Sequence, residues 1–246
     1  FGSPVVEAAL RAGVHYLDTS GEQHWVMKLR DEFSKDFAKA GLALIPSTAC
    51  MYGLSEIGAR YCLETPGVDT LDMTEVAQAV PTVASAQTIL DAVRYSSCYL
   101  QDNELVRYPG IETCDIVTPS NRVLKASNWG GTSNPIWFAD NQLYGILDAM
   151  ATAITPGTPP RERRQVHRSI DVCVGTGNNV MVKSTMIATG GYFTTGLIQA
   201  YAARRLVSET PRKVGFASPS EVFGHREIMG ALQSYGYAAI KVEPLV

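Results

Sequence analysis

Two short apolar runs, each closed by a polar turn and followed by a helix, constrain this chain more than any other feature. Ser3-Pro4 is a helix cap followed by a proline in the first turn, and the helix from Pro4 to Ala12 closes on Gly13. Val14 to Leu17 reads as a strand that ends in Asp18-Thr19-Ser20-Gly21-Glu22. Gln23 to Ala40 reads as a long amphipathic helix, with Trp25, Leu29, Phe33 and Phe37 spaced at four, and Gly41 stops it. Leu42 to Ile45 is then wholly apolar up to Pro46. Apolar strands separated by helices are buried on both faces and pair in parallel, so the class expected is α/β. The chain enters this pattern on Phe1-Gly2 with no strand before the first helix, and we expect it to be the back portion of something larger.

A third helix, about Leu54 to Leu63, ends before Thr65-Pro66-Gly67, which places a first domain at residues 1–64. Residues 65–189 read as a mixed α+β second domain. It opens on a partly exposed strand, Val68 to Ala79, where Thr70, Asp72 and Thr74 alternate with Leu71 and Met73. A helix from Val83 to Ser96 follows, then short strands about Leu105 and Ile116 and an ordered loop from Ala126 to Asp140. Thr155 to Arg164 is a linker or exposed loop, and Ile170 to Val174 with Val180 to Ala188 forms a pair of strands. Residues 190–246 return to helical grammar and are expected to pack back on the first domain. They hold a helix from Tyr192 to Val207, a capping box at Ser218-Pro219-Ser220-Glu221 that starts a helix to about Tyr235, and a closing strand from Tyr237 to Val242.

Several function classes are disfavoured by composition. A net charge of -3, with Arg161, Arg163, Arg164, His167 and Arg168 as the basic cluster, argues against a nucleic-acid partner. The five cysteines are dispersed without Cys-x-x-Cys spacing, which suits buried thiols in a reducing, cytoplasmic setting. His15, His24, His167 and His225 form no ligand pair, so no metal is expected. No apolar run approaches the ~20 residues of a membrane span.

Chemistry is expected where strands end, because ligands of open α/β sheets bind outside the carboxyl edge. Asp18 to Glu22 stands there, and two readings are compatible: a helix cap by Thr19 or Ser20, or a loop facing a ligand. Ser47 to Gly53 follows the next strand, with Tyr52 as a candidate proton donor or a packing residue and Cys50 as a buried thiol. Gly175-Thr176-Gly177 lacks the third glycine of a dinucleotide turn and reads as a turn between strands. Trp129 and Trp137 either line an apolar substrate pocket or anchor their loop, and His225 reads as packed or capping.

Phe1-Gly2-Ser3-Pro4-Val5-Val6-Glu7-Ala8-Ala9, followed by Gly13-Val14-His15-Tyr16-Leu17-Asp18-Thr19-Ser20-Gly21-Glu22, resembles the saccharopine dehydrogenase-like oxidoreductases. That group includes saccharopine reductases and trans-acting enoyl reductases. The likeness is tight over residues 1–46, thinner through the middle, and returns at Gly191 to Ala203 and Gly215 to Leu232. Where relatives near the enoyl reductases carry Gly-Phe-Asp and then Pro-Ser-Asp, this chain has Ala49-Cys50-Met51 and then Gly53-Leu54-Ser55-Glu56. The resemblance implies the C-terminal part of a Rossmann-type sheet plus a substrate and dimerisation domain, with NADP or NAD as cofactor. It would place Phe1, Gly2, Pro4, Asp18, Thr19, Gly21 and Glu22 near that cofactor, and it implies a homodimer acting on a small-molecule substrate. The expected activity is reduction of a carbonyl, imine or enoyl group. Two rivals stay open: an amino-acid C–N dehydrogenase, and a binding or assembly module that keeps the fold without turnover or cofactor.

Overall fold

The computed structural model describes residues 2–79, 85, 97–110, 112–118, 121–128, 133–139, 143, 145–154 and 168–245, with side chains described except at 78–79 and 145–154. Helix α1 (Gly2–Ala12) leads into strand β1 (Tyr16–Leu17), shorter than its apolar run. The next helical run is continuous but not uniform: α2 (Gln23–Lys28), a π-helical turn (Leu29–Phe33) and α3 (Ser34–Lys39). Its four-spaced side chains turn inward, and Leu29 and Phe37 are fully buried against Val6 and Leu44. Strand β2 (Ala43–Ile45) is buried throughout, and α4 (Cys50–Leu63) follows it.

The second part is sheet-rich: β3 (Val68–Ala79), β4 (Cys98–Gln101), β5 (Glu104–Arg107), β6 (Thr113–Val117), β7 (Val123–Asn128), the short helix α5 (Asn134–Phe138), β8 (Gly145–Ile154), β9 (Arg168–Gly177) and β10 (Val180–Thr189). The chain closes with α6 (Gly191–Ser208), β11 (Gly215–Phe216), α7 (Pro219–Phe223), α8 (His225–Ser234) and β12 (Ala238–Pro244).

Two sheets result. The smaller is all parallel, in the order β1-β2-β11, with Tyr16 opposite Leu44 and Phe216 opposite the same residue on the other side. The larger runs β12-β10-β9-β3-β8-β4-β5, with β7 also on β8 and β6 on β7. Within it β3 and β8 are parallel and the other pairs antiparallel. The α/β class with a Rossmann-type parallel sheet and a mixed α+β part is the architecture observed.

Helix α4 joins the two. It leaves the carboxyl end of β2 and lies on the large sheet, with Ala59 and Cys62 packed among Leu71, Met73, Cys173 and Val182. Its first turns bury Cys50, Leu54 and Ile57 against Met186 and Ile198. Small residues allow this approach: a Cβ on Gly58 would stand 3.0 Å from Ser184 Oγ, whose hydroxyl donates to the Gly58 carbonyl at 2.9 Å.

Some expectations are corrected. The segment expected as a loop from Ala126 to Asp140 carries the end of β7 and the helix α5, which Pro135 enters in its first turn. The helix expected from Pro219 to Tyr235 is two helices, broken at Gly224 with φ 88°. The closing strand pairs with β10 at the edge of the large sheet, while β11 supplies the third parallel strand. The expected helix from Val83 to Ser96, apart from Ser85, and the loop from Thr155 to Arg164 lie outside the described residues.

Candidate functional site

Asp18 organises the carboxyl edge of the parallel sheet. Its Oδ1 accepts from the Ser20 N–H at 3.0 Å, the Ser20 hydroxyl at 2.5 Å and the Ser47 N–H at 2.9 Å. Its Oδ2 accepts from the Tyr16 hydroxyl at 2.9 Å and the Trp25 indole N–H at 3.3 Å. One carboxylate thus clamps the loop after β1 to the loop after β2. Ser47, buried with φ 57°, bonds through its hydroxyl to that of Ser133 at 2.5 Å, which links this edge to the start of α5. From α6, the Gln199 amide donates to the carbonyls of Asp18 at 3.3 Å and Thr48 at 2.6 Å.

The expected cap by Thr19 or Ser20 is not made. Helix α2 is entered from Glu22, without a side-chain cap, and Ser20 turns back to Asp18 instead. The loop is therefore shaped by Asp18, with Thr19 exposed, Gly21 buried and Glu22 half-buried. The Glu22 carboxylate accepts the Gly21 N–H at 3.0 Å.

Tyr52 sits in the first turn of α4, in one apolar cluster with Ala49 and Trp137. Burial pushes the phenol well above its ordinary pKa, and the carboxylates of Glu75, Glu22 and Asp18 push it further in that order. It therefore stays a protonated donor throughout the physiological range. The phenol lies in the field of both the strand-end loop and the large sheet.

Glu75 brings a second acid with it. On the antiparallel ladder of β3 and β9, Glu75 stands directly opposite Asp171, and both are buried, at 6% and 4% exposure. Asp171 also stands opposite Met186 of β10, which packs on Cys50 and Leu54 of α4, so the pair lies by the first turns of that helix. Neither oxygen of Asp171 makes a well-formed hydrogen bond. Burial pushes its carboxyl up to about 7, and the nearby Ser169 hydroxyl offsets only part of this.

The remaining residues singled out in the sequence fall as follows. Gly2 lies under Trp25, where a Cβ would come within 2.4 Å of the ring, and Pro4 is exposed on α1. Phe1 and Trp129 lie outside the described residues. Cys50 is buried, and its backbone N–H donates to Thr195 Oγ1 at 2.9 Å. Gly175-Thr176-Gly177 ends β9 rather than forming the turn, which falls at Asn178-Asn179. A Cβ on Gly177 would stand 1.8 Å from the Gly67 carbonyl oxygen, a packing reason for that glycine. His225 packs edge-on to Tyr61 and meets Glu64 Oε1 at 2.8 Å. Sequence reasoning missed Glu75, Asp171, Ser133 and Gln199. A signal existed for Glu75: the alternation that buries Leu71 and Met73 puts it on the same face.

Among the described residues no group of three or more His, Cys, Asp or Glu could hold a metal ion, and no helix is long and apolar enough to cross a membrane.

This arrangement of a parallel sheet beside a mixed sheet has a counterpart among solved structures. The chain resembles apo histidine-tagged saccharopine dehydrogenase (L-Glu forming) from Saccharomyces cerevisiae, with a TM-score of 0.60 and 12% identity over 97% of this chain and 82% of that one. Looser likenesses are an amine dehydrogenase from Mycobacterium smegmatis (TM-score 0.39, 11% identity, 89% and 71% covered) and a dehydrogenase (MviM) from Clostridium difficile (0.35, 9%, 94% and 72%). No curated protein matches by sequence. The chain belongs to a family of unknown function, DUF5938, whose model matches residues 53–144 and 139–246.

Proposed function

We propose that this protein is an NAD(P)-dependent oxidoreductase that reduces a carbonyl, imine or enoyl group of a small or lipid-like metabolite. The observation that supports it is Tyr52, a buried phenol packed with Ala49 and Trp137 and kept protonated by its burial and the nearby carboxylates. A reduction needs a proton at the atom that receives the substrate's electron pair, and a desolvated, positioned donor supplies it.

The residues at the strand ends fit the nicotinamide side of such a cofactor. Glu22 and the loop carbonyls are acceptors, suited to ribose hydroxyls and a carboxamide NH₂, and Asp18 fixes the loop that carries them. Thr19, Gly21 and Glu22 would hold that end of the molecule. The Gly-x-Gly-x-x-Gly turn that cradles a pyrophosphate does not occur in these residues, which would meet only the nicotinamide half of the molecule. When bound, the nicotinamide would supply the hydride. Trp137 and Ala49, packed with Tyr52, would shield the transfer from water.

Among the described residues the charges acting on Tyr52 are carboxylates, which favours a neutral or cationic group beside it over a dicarboxylate. We therefore place the amino-acid C–N dehydrogenase reading second. The test is oxidation of NADPH and NADH by the wild type and Tyr52→Phe against a panel of carbonyl, imine and enoyl acceptors. At least one acceptor should turn over, and Y52F should lose about 10²–10⁴-fold in kcat. Turnover unchanged in Y52F would remove Tyr52 from the reaction.

A further inference from the structure

We propose that Glu75 and Asp171 hold one proton between them and pass it to Tyr52, so that the cross-strand pair is the proton reserve of the site. This rests on the reductase reading for its purpose, and on the sheet register for its existence.

The register puts the two side chains on the same face of adjacent antiparallel strands, directly opposite one another, a placement that brings Cβ atoms within about 4.5–5.5 Å. Both are almost fully buried, and like charges at that range in a desolvated setting do not both ionise. No well-formed hydrogen bond satisfies either oxygen of Asp171, so one proton shared with Glu75 is the simplest way to satisfy the pair. Helix α4 brings Tyr52 over this end of the sheet, the loop after β1 brings Asp18 and Glu22 to Tyr52, and β10 contributes the uncharged Met186 and Ser184. The charges on this route are negative, which raises the value of a proton held there.

The pair also resolves a difficulty with Tyr52. A phenol held so far above its ordinary pKa is a reluctant acid by itself, whereas a carboxyl that titrates near neutral pH is well matched to donation. When bound, a reduced nicotinamide would supply hydride to one atom of the substrate's double bond. The electron pair of that bond goes to the other atom, which takes the Tyr52 proton. As it does so, the phenol oxygen takes the carboxyl proton while solvent supplies one to the pair, so the two buried carboxyls are not both ionised at any stage. Tyr52 is the catalytic residue here; Glu75 and Asp171 act through it.

The test does not need a substrate. Infrared difference spectra between pH 5 and 9 on cofactor-free protein should show one protonated-carboxyl C=O band that titrates near pH 7. Glu75→Gln and Asp171→Asn should each lower the midpoint of the band, because the remaining carboxyl stays buried but loses its anionic neighbour. Tyr52→Phe should retain the band but shift its frequency or midpoint. Absence of the band, an unchanged midpoint in both E75Q and D171N, or indifference to Y52F would overturn the proposal. Two isosteric variants are used so that misfolding of one leaves the other to decide. Failure to bind NADPH or NADH would sink the reductase reading without affecting this band, so the two failures are distinguishable.

Discussion

Asp18 and Asp171 are both carboxylates that answer to a sheet, and their surroundings give them opposite tasks. Donors surround Asp18, and its oxygens accept five hydrogen bonds that tie two strand-end loops together. Asp171 is buried on the inner face of β9 beside another acid, with its carboxyl raised from 3.8 to about 7. The sign of the resulting pH dependence follows. Between those values the folded protein keeps a proton that the unfolded chain has released, so stability falls as pH rises through this window. The penalty is absent below about pH 4 and complete above about pH 7. Asp171→Asn should therefore melt above the wild type at pH 8, with the gap closing as pH falls toward 4. Thermal denaturation across that range checks it, and a gap independent of pH would contradict the assignment.

At the scale of elements, α4 decides the geometry, since it carries Tyr52 at one end and packs along the large sheet. Gly58→Val would force branched carbons toward Ser184 Oγ, 3.0 Å from the Cβ position, and toward Cys173. Such overpacking costs about 1–3 kcal/mol, and at about 2–4 °C per kcal/mol the melting temperature should drop by several degrees. An unchanged melting temperature would mean that α4 does not seat this closely. The readable elements were those with a long, clean period. Gln23 to Ala40, the strand from Val68, the pair at Ile170 and Val180, and the helix from Tyr192 all stand close to where their patterns place them. Strand β11 was not readable, because two residues carry no period and only the neighbouring β2 makes them a strand. The five-residue α5 and the break at Gly224 were hidden for the same reason of length. Of the candidate site, Asp18 to Glu22 and Tyr52 could be singled out because each follows an apolar strand. The Glu75–Asp171 pairing could not, since it depends on a register between strands far apart in sequence.

At the scale of the whole molecule, two sheets of different character meet around one helix, which brings the Tyr52 phenol to acidic groups from both. The parallel sheet brings a loop clamped by Asp18, the mixed sheet brings the buried pair, and Gln199 from α6 ties the strand-end loops to the C-terminal segment. That division of labour is the central claim: one sheet edge for a nucleotide, one sheet face for the proton. The most direct measurement is titration of the folded protein with NADPH and NADH, read by fluorescence and by thermal shift. The account predicts micromolar binding of one nucleotide, with a rise in melting temperature that Y52F retains. Binding of neither, by protein shown to be folded, would contradict it.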